Sequence, residues 1–338
     1  MPGGNGSTGS CHARYEGGGV IWDITIKNGV PQGSNLGPIL FNTFINDLVF
    51  SIKHSEVLLY ADDLKIFNTI SHIKCSNLIQ NDIDNIFEWS QKNKMLINLK
   101  KCFSVSYSRN QVIPTSYSLE GNNISVVTSF KDMGIKFDQR LLFKMHIDET
   151  VKASFKSLGA VIRICRNFDK EITFKILYNA LVRSKLEYAS VVWNPSYKTN
   201  SDQIEMVQKR FLRYLYFRRH GSYPHYLNIR TSTLLNEFKY QSLADRRVLK
   251  DCTFLYHILH NKIDSPELLS LIPFKYNNRN TRNPDTFYVS KIKNFYDKTS
   301  LMNRIMLTLD TIAADVDLFF DSVTTLKKNI MENIVFKL

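Results

Sequence analysis

The chain has 338 residues and 43% of them are hydrophobic, which is enough for one large core or two ordinary ones and excludes the intrinsically disordered class. Lysine and arginine number 44 against 31 aspartates and glutamates, for a formal net charge of +13. Such an excess is consistent with a partner that carries phosphates. Basic charge alone is a weak signal, because many proteins are basic without a specific reason.

The cysteines and the apolar runs bear on whether the protein is disulfide-rich, zinc-binding, secreted or membrane-bound. The five cysteines are scattered along the chain with no close pair, which argues against both a disulfide framework and a zinc knuckle. No apolar run approaches the length that spans a bilayer, and no apolar stretch follows a basic start. We therefore expect an intracellular protein, in the nucleus or the cytoplasm, that is not secreted and has no membrane partner.

The N-terminal region, residues 1–28, differs in composition from the rest of the chain. Residues 1–19 are rich in Gly and Ser, which predicts a flexible or atypical segment unlike any folded element. Residues 21–26 are mostly apolar and predict a short strand, within which Asp23 is the sole aspartate of the first 28 residues.

A glycine-rich loop follows and leads into a helix. Residues 29–38 read GVPQGSNLGP, and their glycines permit backbone angles and close approaches that a Cβ would forbid. Ser34 or Asn35 can cap the helix, and Pro38 suits its first turn. Apolar residues then recur at helical spacing, which predicts a helix to about residue 52.

Two adjacent carboxylates, Asp62 and Asp63, lie in the tetrapeptide YADD between two apolar runs. This pattern predicts two strands with acid at their turn. Carboxylate oxygens are the ligands that Mg²⁺ prefers, and a paired-metal site can hold both the attacking and the leaving oxygen of a phosphoryl transfer. The alternative is that both aspartates only form the turn, since Asp readily bonds its own backbone.

The following segment mixes helix and strand. Apolar residues from 78 to 90 repeat at helical spacing, residues 102–107 suggest a strand, and residues 124–129 and 133–137 suggest a further hairpin. Helices packed on one face of an antiparallel sheet define an α+β fold.

After residue 139 the pattern becomes helical. Periodic apolar residues predict helices over about 147–165 and 177–188, and a third over about 202–217. The third helix and its exit carry the densest basic patch in the chain, formed by Lys209, Arg210, Arg213, Arg218 and Arg219. The functional interpretation is that this helix lies along a nucleic-acid duplex and contacts phosphates. The alternative is a solvated helix face. Residues 243–259 and 301–316 are further candidate helices, and residues 231–338 receive no functional assignment.

These motifs and their order resemble the reverse transcriptases of non-LTR retrotransposons, the jockey-like and related animal elements. Residues 29–38 resemble the loop that contacts template and nucleotide, and residues 60–63 resemble the catalytic metal hairpin. Residues 89–102 and 132–138 resemble the next palm block and the primer-grip hairpin, and residues 177–193 resemble part of the thumb.

The resemblance implies a partial right-hand polymerase palm over residues 29–140, a helical thumb-like region over 141–230 and a mostly helical C-terminal region over 231–338. It implies RNA-directed DNA polymerase activity with Mg²⁺ or Mn²⁺ as cofactor. An RNA template and a DNA primer, or their duplex, would be partners, and deoxynucleotide triphosphates would be substrates.

The same resemblance assigns roles to individual residues. Asp62 and Asp63 would hold the metal, and Gln32 and Gly33 would contact the template base and the nascent pair. Lys101 resembles the proton donor to departing pyrophosphate, with an ordinary exposed lysine as the alternative. Tyr60 would pack beneath the primer end or fill the core.

The chain also departs from the family pattern. The family has fingers and a palm strand with another metal-binding aspartate, and both are expected before Gly29; Asp23 does not resemble that aspartate. We therefore expect this chain to be inactive by itself. The alternative to a polymerase is a non-catalytic remnant that binds nucleic acid through its thumb-like helices.

Overall fold

A computed structural model describes residues 11–17, 20–26, 33–108, 114–223, 229–275, 286–288, 298–312 and 317–336. The chain divides into two compact units, Met1–Val127 and Thr128–Leu338. Both strands and helices are present, which confirms the predicted α+β class. Among the described residues, no helix is long and apolar enough to cross a membrane.

The first unit begins with a β-hairpin. Strands β1 (Cys11–Gly17) and β2 (Val20–Ile26) are antiparallel, with Cys11 opposite Ile26 and Gly17 opposite Val20. The predicted strand at residues 21–26 is confirmed, whereas the prediction of a segment without regular structure is wrong for Cys11–Gly17.

The middle of this unit follows the predicted order of helix, hairpin and helix. Helix α1 (Gly37–Ile45) continues into a 3₁₀ helix (Asn46–Ser51), as the apolar spacing predicts. Strands β3 (Glu56–Tyr60) and β4 (Asp63–Phe67) pair antiparallel, and α2 (Ile73–Lys92) follows.

The remaining strands of this unit are short. Strand β5 (Phe103–Ser104) pairs parallel with β8 (Ser125–Val126), and β6 (Ser118–Leu119) pairs antiparallel with β7 (Asn122–Asn123). Among the described residues the strands pair only two by two, so the prediction of one antiparallel sheet is not confirmed. Local alternation indicates that a segment is extended, but its pairing partner depends on contacts distant in sequence.

The second unit opens with a hairpin and continues as helices. Strand β9 (Ser129–Asp132) pairs with β10 (Ile135–Asp138). The hairpin predicted between residues 124–129 and 133–137 is therefore displaced by several residues at its first strand. This hairpin belongs to the same unit as the helices, because the division between the units falls after Val127. The sequence analysis predicted a boundary near residue 140.

Two long helices of the second unit lie close to the bounds predicted from the spacing of apolar residues. Helix α3 (Lys144–Ile164) and α7 (Lys198–His220) cover the predicted first and third helices. Between them lie α4 (Glu171–Tyr178), a π-helical turn (Asn179–Arg183), α5 (Ser184–Glu187) and α6 (Ser190–Trp193). The C-terminal part contains α8 (Thr231–Phe238), α9 (Leu243–Leu259), α10 (Pro266–Ser270), α11 (Leu301–Ile312) and α12 (Val323–Phe336).

Two buried clusters hold the second unit together. The larger one joins α3 to α8 and contains Trp193, Phe211 and Tyr178, each 0% exposed. The ring of Tyr178 stacks on Phe211 with centroids 3.8 Å apart. The smaller cluster joins α9, α11 and α12. Burying such large rings is the main source of stability for an assembly of helices.

Candidate functional site

The register of the β3–β4 hairpin determines which way its acidic end faces. Tyr60 is opposite Asp63, and Leu58 is opposite Lys65, so these four side chains share one face. Leu59 and Leu64 share the other face and pack with Ile45, Leu48 and Ile86. The hairpin therefore has an inner apolar face and an outer face that carries Tyr60 and Asp63.

The turn of this hairpin is tight. Ala61 and Asp62 are its two central residues, and Ala61 has φ of 51°. A positive φ at this position is typical of the turns whose twist matches that of paired strands, although glycine usually occupies it. Asp62 is thereby placed at the tip and Asp63 at the first position of β4. Both are exposed, and Tyr60 is 66% exposed.

Two exposed carboxylates at one tip form a suitable set of donors for a divalent cation. Adjacent anions repel each other, and a hard cation between them removes this repulsion. Among the described residues, no three or more His, Cys, Asp or Glu side chains form a metal-binding group. Mg²⁺ commonly binds one or two carboxylates together with water and substrate phosphates, so the pair fits a cation that a phosphate-bearing substrate helps to hold.

The N-cap residue of α1 is Leu36, which makes no side-chain capping bond, so the prediction that Ser34 or Asn35 is the cap residue is not confirmed. The hydroxyl of Ser34 accepts a hydrogen bond from the N–H of Gly37 at 3.0 Å, and Pro38 lies in the first turn of α1. Gly33 has φ of +83°, a conformation that residues with a Cβ rarely adopt. The loop therefore needs glycine at this position for its backbone shape. Gln32 lies outside the described residues.

Lys101 is exposed and lies at the end of a 3₁₀ turn, Leu99–Lys101. The side chain of Asn98 accepts a hydrogen bond from the N–H of Lys100 and so caps this turn. Leu99 packs against the apolar cluster of α2. The turn is thus anchored by an apolar side chain, and the ammonium group of Lys101 is left toward solvent.

Helix α7 places three of its predicted basic residues on the side turned away from the core. Its buried side chains include Val207 and Phe211. Arg210 is exposed, whereas Lys209 and Arg213 are partly exposed. At about 100° per residue, positions 209, 210 and 213 fall on one side of the helix, so these three cations form a continuous basic stripe.

Arg218 and Arg219, predicted to bind nucleic acid, have partners within the protein. Arg218 donates to the backbone oxygens of Arg166 at 3.0 Å and Phe168 at 2.6 Å. Arg219 forms ion pairs with Glu171 at 2.6 Å and Glu237 at 3.0 Å. Arg219 lies about 180° around the helix from Arg210. The sequence shows only that the charges are close along the chain, so we leave these two arginines out of the basic stripe.

One acidic residue near the hairpin escaped the sequence analysis. Asp82 lies in the middle of α2, is 0% exposed, and accepts hydrogen bonds from the backbone of Lys53 and His54. Burial alone would raise the pKa of this carboxyl, but these hydrogen bonds hold its pKa below the ordinary value. The available signal was its spacing, because Asp82 falls among Ile79, Ile83 and Ile86 on the apolar side of the helix.

Comparison with known families finds a match over somewhat less than half of the chain. Residues 15–161 match the family model of reverse transcriptase (RNA-dependent DNA polymerase). This range includes the glycine-rich loop, the acidic hairpin, Lys101 and the β9–β10 hairpin. Reverse transcriptases generally use divalent metal ions and act on a nucleic-acid template and primer with deoxynucleotide triphosphates.

Individual relatives place the chain more closely. It is 26% identical over 244 residues to the RNA-directed DNA polymerase from mobile element jockey of Drosophila funebris, covering 69% of this chain and 25% of that protein. The jockey protein of Drosophila melanogaster is 26% identical over 231 residues, or 65% of this chain and 24% of that protein.

The match to a third relative covers a larger share of that relative's length. The Pol polyprotein from the type-1 retrotransposable element R1 of Nasonia vitripennis is 25% identical over 197 residues, which are 54% of this chain and 58% of that protein. The chain is similar to the reverse transcriptases of non-LTR retrotransposons over this part of its length, which confirms the resemblance found in its motifs. It spans about a quarter of the length of the two jockey proteins. No solved structure matches it.

Proposed function

We propose that this chain is the part of an RNA-directed DNA polymerase that binds Mg²⁺ or Mn²⁺ through Asp62 and Asp63. The observation that carries the proposal is the hairpin itself, which presents both carboxylates at an exposed tip and anchors its opposite face through Leu59 and Leu64. Within the proposal, residues 29–140 form part of a palm, residues 141–230 are thumb-like, and residues 231–338 extend the helical part.

Within the proposal, the other residues take the roles that the family resemblance implies for them. Gln32 and Gly33 contact the template base and the nascent pair, and Tyr60 lies on the same hairpin face as Asp63, beneath the primer end. Lys101 supplies a proton to the departing pyrophosphate, a role that an exposed ammonium group on an anchored turn can perform. When bound, the cation neutralises charge on the phosphates of the nucleotide. Lys209, Arg210 and Arg213 hold the backbone phosphates of the template–primer duplex.

A primer-extension assay with a heteropolymeric RNA template, a DNA primer and either Mg²⁺ or Mn²⁺ tests the catalytic proposal. The unmodified chain is expected not to extend the primer by itself, and extension would overturn that expectation. Where extension is seen, Asp62→Asn and Asp63→Asn should each abolish it, because removing an anionic ligand weakens the hold on the cation. Asp84→Asn is the matched control, since Asp84 is exposed on α2 in the same unit. Extension that persists in both hairpin variants would exclude Asp62 and Asp63 as the metal ligands.

A second candidate function, binding of nucleic acid without catalysis, is favoured by the basic stripe on α7. It predicts that the chain binds a template–primer duplex and does not extend the primer. The affinity should fall steeply with salt, because each neutralised phosphate releases a counterion. Arg210→Gln should weaken binding and make the salt dependence shallower by about one phosphate contact.

Arg219→Gln is the informative comparison for that experiment. It removes the same charge from the same helix, but Arg219 is paired with Glu171 and Glu237. Its affinity and salt dependence should resemble those of the unmodified chain, provided the variant remains folded. Equal losses for the two arginines would exclude the basic stripe as the contact surface.

A further inference from the structure

The end of the β3–β4 hairpin that lies away from the acidic tip is attached to α2 by a buried carboxylate. Oδ1 of Asp82 accepts a hydrogen bond from the N–H of Lys53 at 2.9 Å, and Oδ2 accepts one from the N–H of His54 at 3.1 Å. Lys53 and His54 lie just before β3, separated from it by Ser55. A carboxylate that is 0% exposed is rare in proteins unless its oxygens are satisfied, and here both oxygens have partners.

The same attachment reaches the other strand of the hairpin. The backbone oxygen of His54 accepts a hydrogen bond from the side-chain amide of Asn68 at 2.9 Å. Asn68 directly follows the last residue of β4. The N–H of His54 therefore donates to Asp82 of α2, and the backbone oxygen of His54 accepts from Asn68 after β4. The two ends of the hairpin are thus joined at His54, which Asp82 holds in place.

Apolar packing provides a second attachment, farther along the hairpin. Leu59 and Leu64 pack with Ile86, which lies one helical turn after Asp82. Packing of this kind is not directional and allows sliding or tilting. Hydrogen bonds to a buried carboxylate are directional and become costly when broken, because the carboxylate is then left without partners. Asp82 thus fixes an orientation that the apolar contacts alone leave adjustable.

The length of the hairpin makes this orientation important for its tip. At about 3.3 Å per residue, the five residues of β3 separate its start from its acidic end by about 17 Å. A tilt of about 3–4° at the start then moves the tip by about 1 Å. A displacement of about 1 Å in a reacting group can lower a rate by about 100-fold.

We propose that Asp82 is a positioning residue, which orients the hairpin from α2 so that Asp62 and Asp63 are held in place for a divalent cation. The claim that this orientation serves metal binding rests on the proposed function of the hairpin. The claim that Asp82 orients the hairpin does not, so the two claims can fail separately.

Hydrogen exchange without metal tests the structural content. Asp82→Asn keeps the shape of the side chain but places its NH₂ group against the N–H of Lys53 or His54, so that one of the two hydrogen bonds is lost. The amides of Lys53, His54 and β3 should lose about 10-fold or more in protection, whereas those at the centre of α2 keep theirs. Asp84→Asn, two positions away and exposed, should change neither set. Unchanged protection of the hairpin in Asp82→Asn would overturn the inference.

Asn68→Ala supplies the second variant, because Asn68 is exposed and its truncation leaves the core intact. It should loosen β4 and the entry to β3 in the same measurement, by a smaller factor than Asp82→Asn. If Asp82→Asn does not fold, this variant carries the test, and unchanged protection at His54 and β4 would overturn the inference.

Binding of Mn²⁺, followed by the electron paramagnetic resonance signal of the free ion, tests the purpose. Asp82→Asn should weaken Mn²⁺ binding about 10-fold, in the range found when a residue that orients metal ligands is removed. Ile79→Ala is the control for general destabilisation, because Ile79 is buried on the same helix and belongs to the apolar cluster against which Ile66 of β4 packs, but makes none of the hydrogen bonds to Lys53 and His54. It should leave the affinity for Mn²⁺ unchanged at a temperature where it is folded. Equal losses in Asp82→Asn and Ile79→Ala would show a merely structural role and overturn the inference.

The two proposals remain distinguishable in these experiments. If Asp62→Asn binds Mn²⁺ as well as the unmodified chain does, the metal-binding proposal fails. Loss of hairpin protection in Asp82→Asn would then still establish that Asp82 orients the hairpin.

Discussion

Side chains at the centre of Thr128–Leu338 are removed from water, whereas those around the Asp62–Asp63 hairpin are only half covered. Trp193 and Phe211 are 0% exposed, while Leu58 and Tyr60 are 58% and 66% exposed. The buried side chains of the helical unit also include charged groups, such as Glu187 with its ion pairs to Arg246 and Lys250.

The buried side chains of the helical unit contribute mainly to stability, whereas the hairpin exposes its outer side chains to solvent. A hairpin with one packed face has a low local free energy of opening, and binding regions are commonly drawn from such parts of a protein. The helical unit has the opposite character, since its rings stack and its buried Glu187 and Asp251 form ion pairs. Substitutions should therefore have unequal effects in the two regions, and four measurements can break or sharpen this comparison.

The largest expected effect is on the packed core. Phe211→Ala should lower the free energy of unfolding of the helical unit by about 3–5 kcal/mol, since it removes a buried ring and leaves a cavity. Leu58→Ala, on the exposed hairpin face, should change stability by about 0.5 kcal/mol or less. Urea unfolding monitored by hydrogen exchange in each unit gives both values. A cost for Leu58→Ala near that of Phe211→Ala would show that the outer hairpin face is covered.

The next effect concerns the buried ion pairs. Glu187→Gln leaves Arg246 and Lys250 without their anion, which should cost about 2–3 kcal/mol because a buried partner is removed. Glu149→Gln is the matched control, since Glu149 pairs with Lys136 at 2.6 Å but its side chain is 58% exposed. Exposed pairs contribute about 1 kcal/mol or less. Equal thermal stabilities of the two variants would contradict the assignment of Glu187 to the core.

A smaller effect should appear in the pH dependence of the helical unit. Burial lowers the pKa of His146, so the folded chain keeps this ring neutral while the unfolded chain takes up a proton below about pH 6.5. Stability should therefore fall as the pH decreases below that value and level off below the lowered pKa. The N–H of Lys136 donates to Nδ1 of His146, and protonation would replace this acceptor by a donor.

His146→Asn checks that assignment, because the side-chain oxygen of Asn can accept the same hydrogen bond. The decrease between pH 6.5 and the lowered pKa should become smaller in thermal unfolding of this variant, and the remainder belongs to His257, whose pKa burial also lowers. An unchanged decrease would assign the titration to groups other than His146. Any decrease at lower pH should remain, since ion-paired carboxylates such as Glu187, whose pKa is lowered by Arg246 despite the opposing effect of burial, lose their charge there.

Local patterns predicted much of this fold, for reasons that particular elements make clear. Helices α2, α3 and α7 have apolar residues at helical spacing and were predicted near their observed bounds. The YADD hairpin was predicted because strand, turn and strand residues follow one another without a gap. These signals come from neighbours within a few residues along the chain, where propensity and periodicity are informative.

Features that depend on distant residues were not predicted. Arg219 looks like a phosphate ligand in the sequence, and only the fold brings Glu171 and Glu237 to it. The parallel pairing of β5 with β8 joins segments about twenty residues apart. For the candidate site, the two acids and their turn were predicted from neighbouring residues, whereas the attachment through Asp82 depends on contacts between residues about 28 positions apart.

The smallest expected effect concerns strain at the hairpin turn. Ala61 has φ of 51°, a conformation that costs a residue with a Cβ about 1–2 kcal/mol. Glycine removes this strain but loses about 0.5–1 kcal/mol of its own through backbone entropy. Ala61→Gly should therefore stabilise the hairpin by about 0.5–1 kcal/mol, seen as greater protection of the β3 and β4 amides in hydrogen exchange. Lys239→Gly is the matched control, since Lys239 has φ of 56° in the helical unit and should stabilise only that unit. Weaker protection in Ala61→Gly would show that the methyl group of Ala61 packs against the hairpin, and the outer face would then be less open than its exposure indicates.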